Sequence, residues 1–169
     1  ARLASTLALG RAENGIDIRL GARVTAIDRP AQRVLLDNGD RLPYDHLVLS
    51  LGSRLRQLPV PGAALGNVLE LRTAADAERI KTALRPGLRI AVVGGGYIGL
   101  EVAASARSLG LSVTIIEREA RLLGRVASPQ LSQFFAATHA AKGVEVLLGA
   151  NVAALEGDRA GAVTGVRLG

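Results

Sequence analysis

The period of apolar positions changes several times along the 169 residues, and each change marks an element. Ile16–Asp17–Ile18–Arg19–Leu20 alternates with period two, Val24–Ala26–Ile27 follows a glycine, and Arg33–Val34–Leu35–Leu36 runs into Asp37–Asn38–Gly39–Asp40. Runs of this kind separated by turn residues predict a β-meander, with Asn38–Gly39 suited to the positive φ angles of a hairpin turn. Leu47–Val48–Leu49–Ser50–Leu51 does not alternate, and so reads as a strand buried on both faces that ends at Gly52. Residues 53–66 hold prolines and glycines without a period and form a connector. The first fifteen residues carry a weak helical pattern.

The pattern then switches between helical and extended. Thr73 and Asp76 have the spacing of a capping box, with Ala77, Ile80 and Leu84 on one helical face and Pro86–Gly87 as the stop. Leu88 to Val93 predicts a buried strand. A helix follows, with Leu100, Val102, Ala103, Ala106 and Leu109 inward and Gly110 at its end. Ser112–Glu117 predicts the next strand. Ser128–Pro129 predicts the cap and first position of a helix with Leu131, Phe134 and Phe135 inward, and Val144–Leu148 a further strand. Asn151–Leu155 and Val163–Leu168 predict an appended hairpin. The fold class is α/β: a Rossmann-like domain with a parallel sheet and an appended hairpin, preceded by a β-meander.

Composition narrows the chemistry. Cysteine is absent, which removes disulfides, thiolate metal sites and cysteine nucleophiles from these residues, and the two histidines, His46 and His139, are far apart in sequence, so no metal site is expected. No apolar run is long enough to span a bilayer and no secretory signal opens the chain, so a cytoplasmic protein without a membrane partner is expected. A chain that starts at Ala1 and has no methionine reads as an excerpt of a longer one. The formal charge of +6 raises the question of nucleic acid. Scattered arginines, with two tyrosines and two phenylalanines, offer neither a basic block nor an aromatic ladder, and speak against it.

The strongest chemical signal is Gly94–Gly95–Gly96–Tyr97–Ile98–Gly99, a G-x-G-x-x-G between a predicted buried strand and a helix. Gly94 permits the tight turn, Gly96 leaves room for a pyrophosphate, and Gly99 lets helix and strand approach. The helix N-terminus offers free N–H groups to phosphate oxygens. Glu117 closes the following strand about twenty residues on, where a carboxylate accepts the adenosine ribose hydroxyls. Its charge repels a 2′-phosphate and favours NAD over NADP, while the adjacent Arg118 is a residue type that holds such a phosphate. Glu101 is either a surface residue complementing the helix dipole or a carboxylate at the mouth of the cofactor crevice, and spacing does not choose between them.

The run from Gly94 to Ala104 with Val113–Glu117, and around it Asp45–Pro59, Leu71–Thr73 and Arg121–Val126, resembles the FAD-dependent pyridine nucleotide-disulfide oxidoreductases, and within them the NADH:ferredoxin reductases of oxygenase systems. The resemblance implies a flavoprotein with an FAD domain, an inserted NADH domain and a C-terminal interface domain. Residues 1–71 would be part of the FAD-binding domain, and 72–169 an NAD(H)-binding domain cut short at its C-terminal side. It implies hydride transfer from NADH to FAD and electron delivery to an iron–sulfur ferredoxin.

Carried over by position, Glu101 would lie near the nicotinamide as a positioning group. Gly94, Gly95, Gly96, Tyr97, Ile98, Gly99, Glu117, Arg118 and Arg125 would contact NAD, and Val24, Gly52 and Arg72 would contact FAD. Ser50–Leu51–Gly52 departs from the family's Ala-Thr-Gly and lacks its hydroxyl. Two other readings remain at this point: an NADH oxidase, peroxidase or disulfide reductase of the same superfamily, and a non-catalytic nucleotide- or nucleic-acid-binding module.

Overall fold

The computed structural model describes residues 15–169, so the helix expected over the first fifteen residues lies, but for Gly15, outside the described part. The described residues fall into two units, one ending at Gly52 and one running from Ser53 to Gly169.

In the first unit, β1 (Val24–Asp28), β2 (Arg33–Leu36) and β3 (Arg41–Pro43) form an antiparallel sheet in the order β1-β2-β3. Val34 lies opposite both Ile27 and Leu42. The hairpin between β2 and β3 is held by the Leu36 amide on the Asp40 carbonyl at 2.9 Å, and only Gly39, not Asn38, takes a positive φ, of 90°. The short β3 has no clear sequence signal, because Arg41–Leu42–Pro43 offers one apolar side chain.

Two expected strands of this unit do not form. Among the described residues neither 16–20 nor 47–51 forms a strand, and Val48 and Leu51 are 82% and 86% exposed. The reason is physical: a strand exists only when a neighbour takes its N–H and C=O groups, and no described strand pairs with either run.

The second unit is built on a parallel sheet in the order β4-β5-β6, from Arg89–Val93, Ser112–Glu117 and Val144–Leu148. The connector is followed by α1 (Ala74–Ala83), which starts at the expected capping box. The Thr73 side chain accepts from the Asp76 amide at 3.2 Å, and the Asp76 carboxylate accepts from the Thr73 amide at 2.8 Å. Ile80 and Leu84 are half-buried, whereas Ala77 is exposed.

Helices α2 (Tyr97–Ser108) and α3 (Pro129–Ala141) carry the crossovers from β4 to β5 and from β5 to β6. Crossovers of one hand running in one direction put both helices on the same face of the sheet. There Leu100, Ala103 and Ala106 meet Val92, Val113, Ile115 and Val144 in a single core, with Phe135 and Ala136 packed against it. The opposite face of β4 is open: Ala91 and Val93 are exposed, so this strand is covered on one face rather than two.

Three inward assignments are corrected. Leu109 is exposed, and Leu111, just past the Gly110 cap, is the buried residue. On α3, Leu131 and Phe134 point outward, Phe134 at 63% exposure, while Ser132 and His139 are buried. The inward stripe is 132, 135, 136 and 139, which has good helical spacing but includes two polar residues that a count of apolar positions passes over. Ser132 is satisfied by the Arg121 guanidinium at 2.9 Å.

Strands β7 (Val152–Gly157) and β8 (Val163–Leu168) form the appended antiparallel hairpin. Its turn is organised by the Asp158 carboxylate, which accepts from the Ala160 and Ala162 amides, both at 2.9 Å. The connector is stitched to it: the Leu155 amide donates to the Pro61 carbonyl at 2.9 Å, and the Asn67 side chain pairs with both backbone groups of Val163.

Candidate dinucleotide-binding site

The glycine loop sits between β4 and α2, at the carboxyl end of the sheet. Gly94 has a φ of 110° and donates its amide to the Ile116 carbonyl at 2.9 Å, so the turn needs a residue free to enter that region. A Cβ on Gly99 would run into the Gly94 carbonyl oxygen, which is the close helix–strand approach expected of the third motif glycine. Gly96 is the N-cap of α2, makes no side-chain cap hydrogen bond, and would have nothing within 4 Å of an added Cβ.

The amides of Tyr97, Ile98 and Gly99 belong to the first helical turn, where no intrahelical acceptor exists. Open space above Gly96, in front of the first-turn amides at a positive helix end, is the shape and polarity that a pyrophosphate requires. These residues fit the group.

Glu117 ends β5 and reaches the loop. Its Oε2 accepts from the Gly95 amide at 2.6 Å and its Oε1 from the Glu119 amide at 2.8 Å. Each oxygen keeps a further lone pair, so the carboxylate is held by backbone donors and still has acceptor capacity for two hydroxyl groups. Its backbone carbonyl accepts from the Ala150 amide at 3.0 Å, which ties the end of β5 to the segment after β6. A cleft of about 180 Å³ beside it is lined by Gly94, Ile116, Glu117, Arg118, Leu58 and Asn151, enough for part of a dinucleotide.

The other expected contacts are more dispersed. Arg118 is exposed and pairs with Glu119 at 3.1 Å rather than with Glu117. Arg125 is exposed, on the turn between β5 and α3. Glu101 is exposed in the first half of α2, and among the described residues its side chain has no ion pair. Tyr97 and Ile98 are both more than half exposed at the start of the same helix. Arg72 donates Nε to the Ser53 carbonyl at 3.1 Å, next to the α1 capping box. Val24 lies at the start of β1, and Gly52, with a φ of 74°, ends the first unit.

Two features lie outside the motif reading. Leu123 is buried with a φ of 54°, and its amide donates to the Gly95 carbonyl at 2.9 Å. Arg121 closes the same turn, with its guanidinium on the Gly124 carbonyl at 2.6 Å and the Ala127 carbonyl at 2.7 Å. Both positions fall in the Arg121–Val126 stretch that carries the resemblance, but residue type alone gives no sign of the backbone bond from Leu123 to Gly95.

Residues 3–169 match the sequence model of the pyridine nucleotide-disulphide oxidoreductases, and the chain belongs to that family. It is 47% identical over 155 residues to a probable ferredoxin reductase, CtmF, of Castellaniella defragrans, an alignment that takes in 92% of this chain and 38% of the relative. Among solved structures it resembles the ferredoxin reductase for the CYP199A2 system from Rhodopseudomonas palustris, with a TM-score of 0.76, 37% identity, and coverage of 88% of this chain and 37% of that one. It also resembles a covalent putidaredoxin reductase–putidaredoxin complex, with a TM-score of 0.74, 36% identity, and coverage of 97% of this chain and 43% of that one. The chain spans less than half the length of each of these relatives. Both structural matches share the α/β architecture described above.

Proposed function

We propose that the protein supplies the NADH-binding part of a flavin-dependent ferredoxin reductase that serves an oxygenase system. The observation that carries this reading is the joining of the glycine loop to the β5 carboxylate, with the Gly95 amide 2.6 Å from Glu117 and open space over Gly96. The names of the relatives, ferredoxin reductases over 92% and 88% of this chain, supply the acceptor class.

In this reading residues 1–71 are part of an FAD-binding domain, with Val24, Gly52 and Arg72 as FAD contacts, and residues 72–169 bind NAD(H). The redox chemistry, hydride transfer from NADH to FAD and single-electron delivery to an iron–sulfur ferredoxin, is supplied by those groups when bound. The chain's own residues bind and orient. First-turn amides of α2 take the pyrophosphate, Glu117 takes the adenosine ribose, Arg118 and Arg125 flank the adenosine side, and Glu101 positions the nicotinamide. The excess of positive charge, +6 in all, suits an acidic ferredoxin by electrostatic steering.

The test is a fluorescence titration of the purified protein with NADH and NADPH, alongside its visible absorption spectrum. NADH is expected to bind more tightly than NADPH. Glu117→Ala should weaken NADH about ten-fold and narrow its advantage over NADPH, as loss of a charged acceptor for ribose hydroxyls requires. No binding of either nucleotide would overturn the reading. A flavin spectrum bleached by anaerobic NADH would support the full electron path.

A further inference from the structure

The middle glycine of Gly94–Gly95–Gly96 falls at a variable position of the G-x-G-x-x-G pattern, yet its surroundings leave no room for a side chain. Its φ is not in the left-handed region, so conformational freedom does not explain a glycine there. Space does. A Cβ built on Gly95 would stand 2.5 Å from Leu122 Cδ2 and 3.2 Å from both the Cβ and Oε2 of Glu117. These distances are shorter than ordinary carbon contacts, and Leu122 is fully buried and has little room to yield.

Both sides of the Gly95 backbone are also engaged. Its N–H donates to Glu117 Oε2 at 2.6 Å, and its carbonyl accepts from the Leu123 amide at 2.9 Å. Leu123 pays for that bond with a φ of 54° while its side chain stays buried. A non-glycine residue held in that region is strained and persists only where its surroundings fix it. The Arg121 guanidinium, bonded to Gly124, Ala127 and Ser132, is what fixes the turn here.

We propose that Gly95 is a positioning residue for nucleotide selection: together with the strained Leu123 it holds the Glu117 carboxylate where it meets the adenosine ribose. The proposal rests on the dinucleotide reading above and adds a cause for the choice of NADH over NADPH. A carboxylate pinned by a backbone amide cannot swing away from a 2′-phosphate, so its repulsion is retained. Once released, it can turn aside, and the neighbouring Arg118 then becomes the dominant charge near the 2′ position.

The experiment is a pair of binding titrations, NADH and NADPH, on the wild-type protein and on Gly95→Ala. The ratio of the two dissociation constants should fall about ten-fold in the variant, through weaker NADH binding more than through tighter NADPH binding. Should Gly95→Ala fold poorly, Gly95→Ala combined with Leu122→Val relieves the nearest clash and leaves the two Glu117 contacts in place. The same fall in ratio is expected there. A folded variant of either kind that keeps the wild-type ratio overturns the proposal. Wild-type protein that binds neither nucleotide instead overturns the dinucleotide reading on which it rests, so the two failures are distinct.

Discussion

Two runs in this chain look alike on paper. Leu47–Leu51 and Leu88–Val93 are both apolar but for one residue, Ser50 or Arg89, both non-alternating, and both run into a glycine. The second becomes β4, paired in parallel with β5 from Arg89↔Ser112 to Val93↔Ile116. The first makes no ladder, and its side chains stand in solvent. Composition does not separate them. What separates them is a partner: β4 has an adjacent strand delivered by α2, and 47–51 has none among the described residues. An apolar run therefore states a need for cover, and topology decides whether the need is met.

The comparison is broken most directly by hydrogen exchange. Amides of β5, inside the parallel sheet, should exchange at least about a thousand-fold more slowly than those of Leu47–Leu51, since core strands open only with near-global unfolding. Equal protection would mean that the first run has found a partner, and the contrast would be lost.

One glycine downstream of each run sharpens the comparison further. After β4, Gly99 lies in the first turn of α2, where an added Cβ would meet the Gly94 carbonyl oxygen. Gly99→Ala should cost about 3 kcal/mol, the upper range for forcing a methyl into a packed site. At Gly52 the constraint is conformational, a φ of 74°, and Gly52→Ala should cost about 1 kcal/mol. Chemical denaturation of both variants checks the ranking. Reversed costs would mean that the glycine loop is looser than its contacts indicate.

Legibility in the sequence follows the same division. The β4–α2–β5–α3–β6 order, the caps at Thr73 and Ser128, and the Gly94–Gly99 loop with Glu117 could be read beforehand, because each is a local device whose partner lies within a turn or at a fixed spacing. The hairpin of β7 and β8 was legible for the same reason. Three things were not. Strand formation at 16–20 and 47–51 depends on distant chain. The inward stripe of α3 includes Ser132 and His139, which hydrophobicity does not flag. The hold on Glu117 runs through the amide of Gly95 and the backbone of Leu123, and backbone contacts leave no signature in residue type.

The smallest effect lies at the α1 capping box, a purely local device that serves as the opposite pole to the partner-dependent runs. The Thr73 hydroxyl, followed by the Arg79 guanidinium and the Thr73 amide, holds the Asp76 carboxyl well below the usual carboxylate range. A carboxylate with a depressed native pKa stabilises the fold above its unfolded pKa of about 4, and this contribution is lost as pH falls through the lower native value. Thr73→Ala removes both the cap and the main cause of the shift, and should cost about 1 kcal/mol at neutral pH. The gap between wild type and variant should then narrow as pH drops below about 4, where Asp76 begins to protonate in the unfolded chain. Thermal melts at neutral and acid pH give the answer. A gap that is constant with pH would mean that the cap acts through the hydroxyl alone, with no electrostatic share from Asp76.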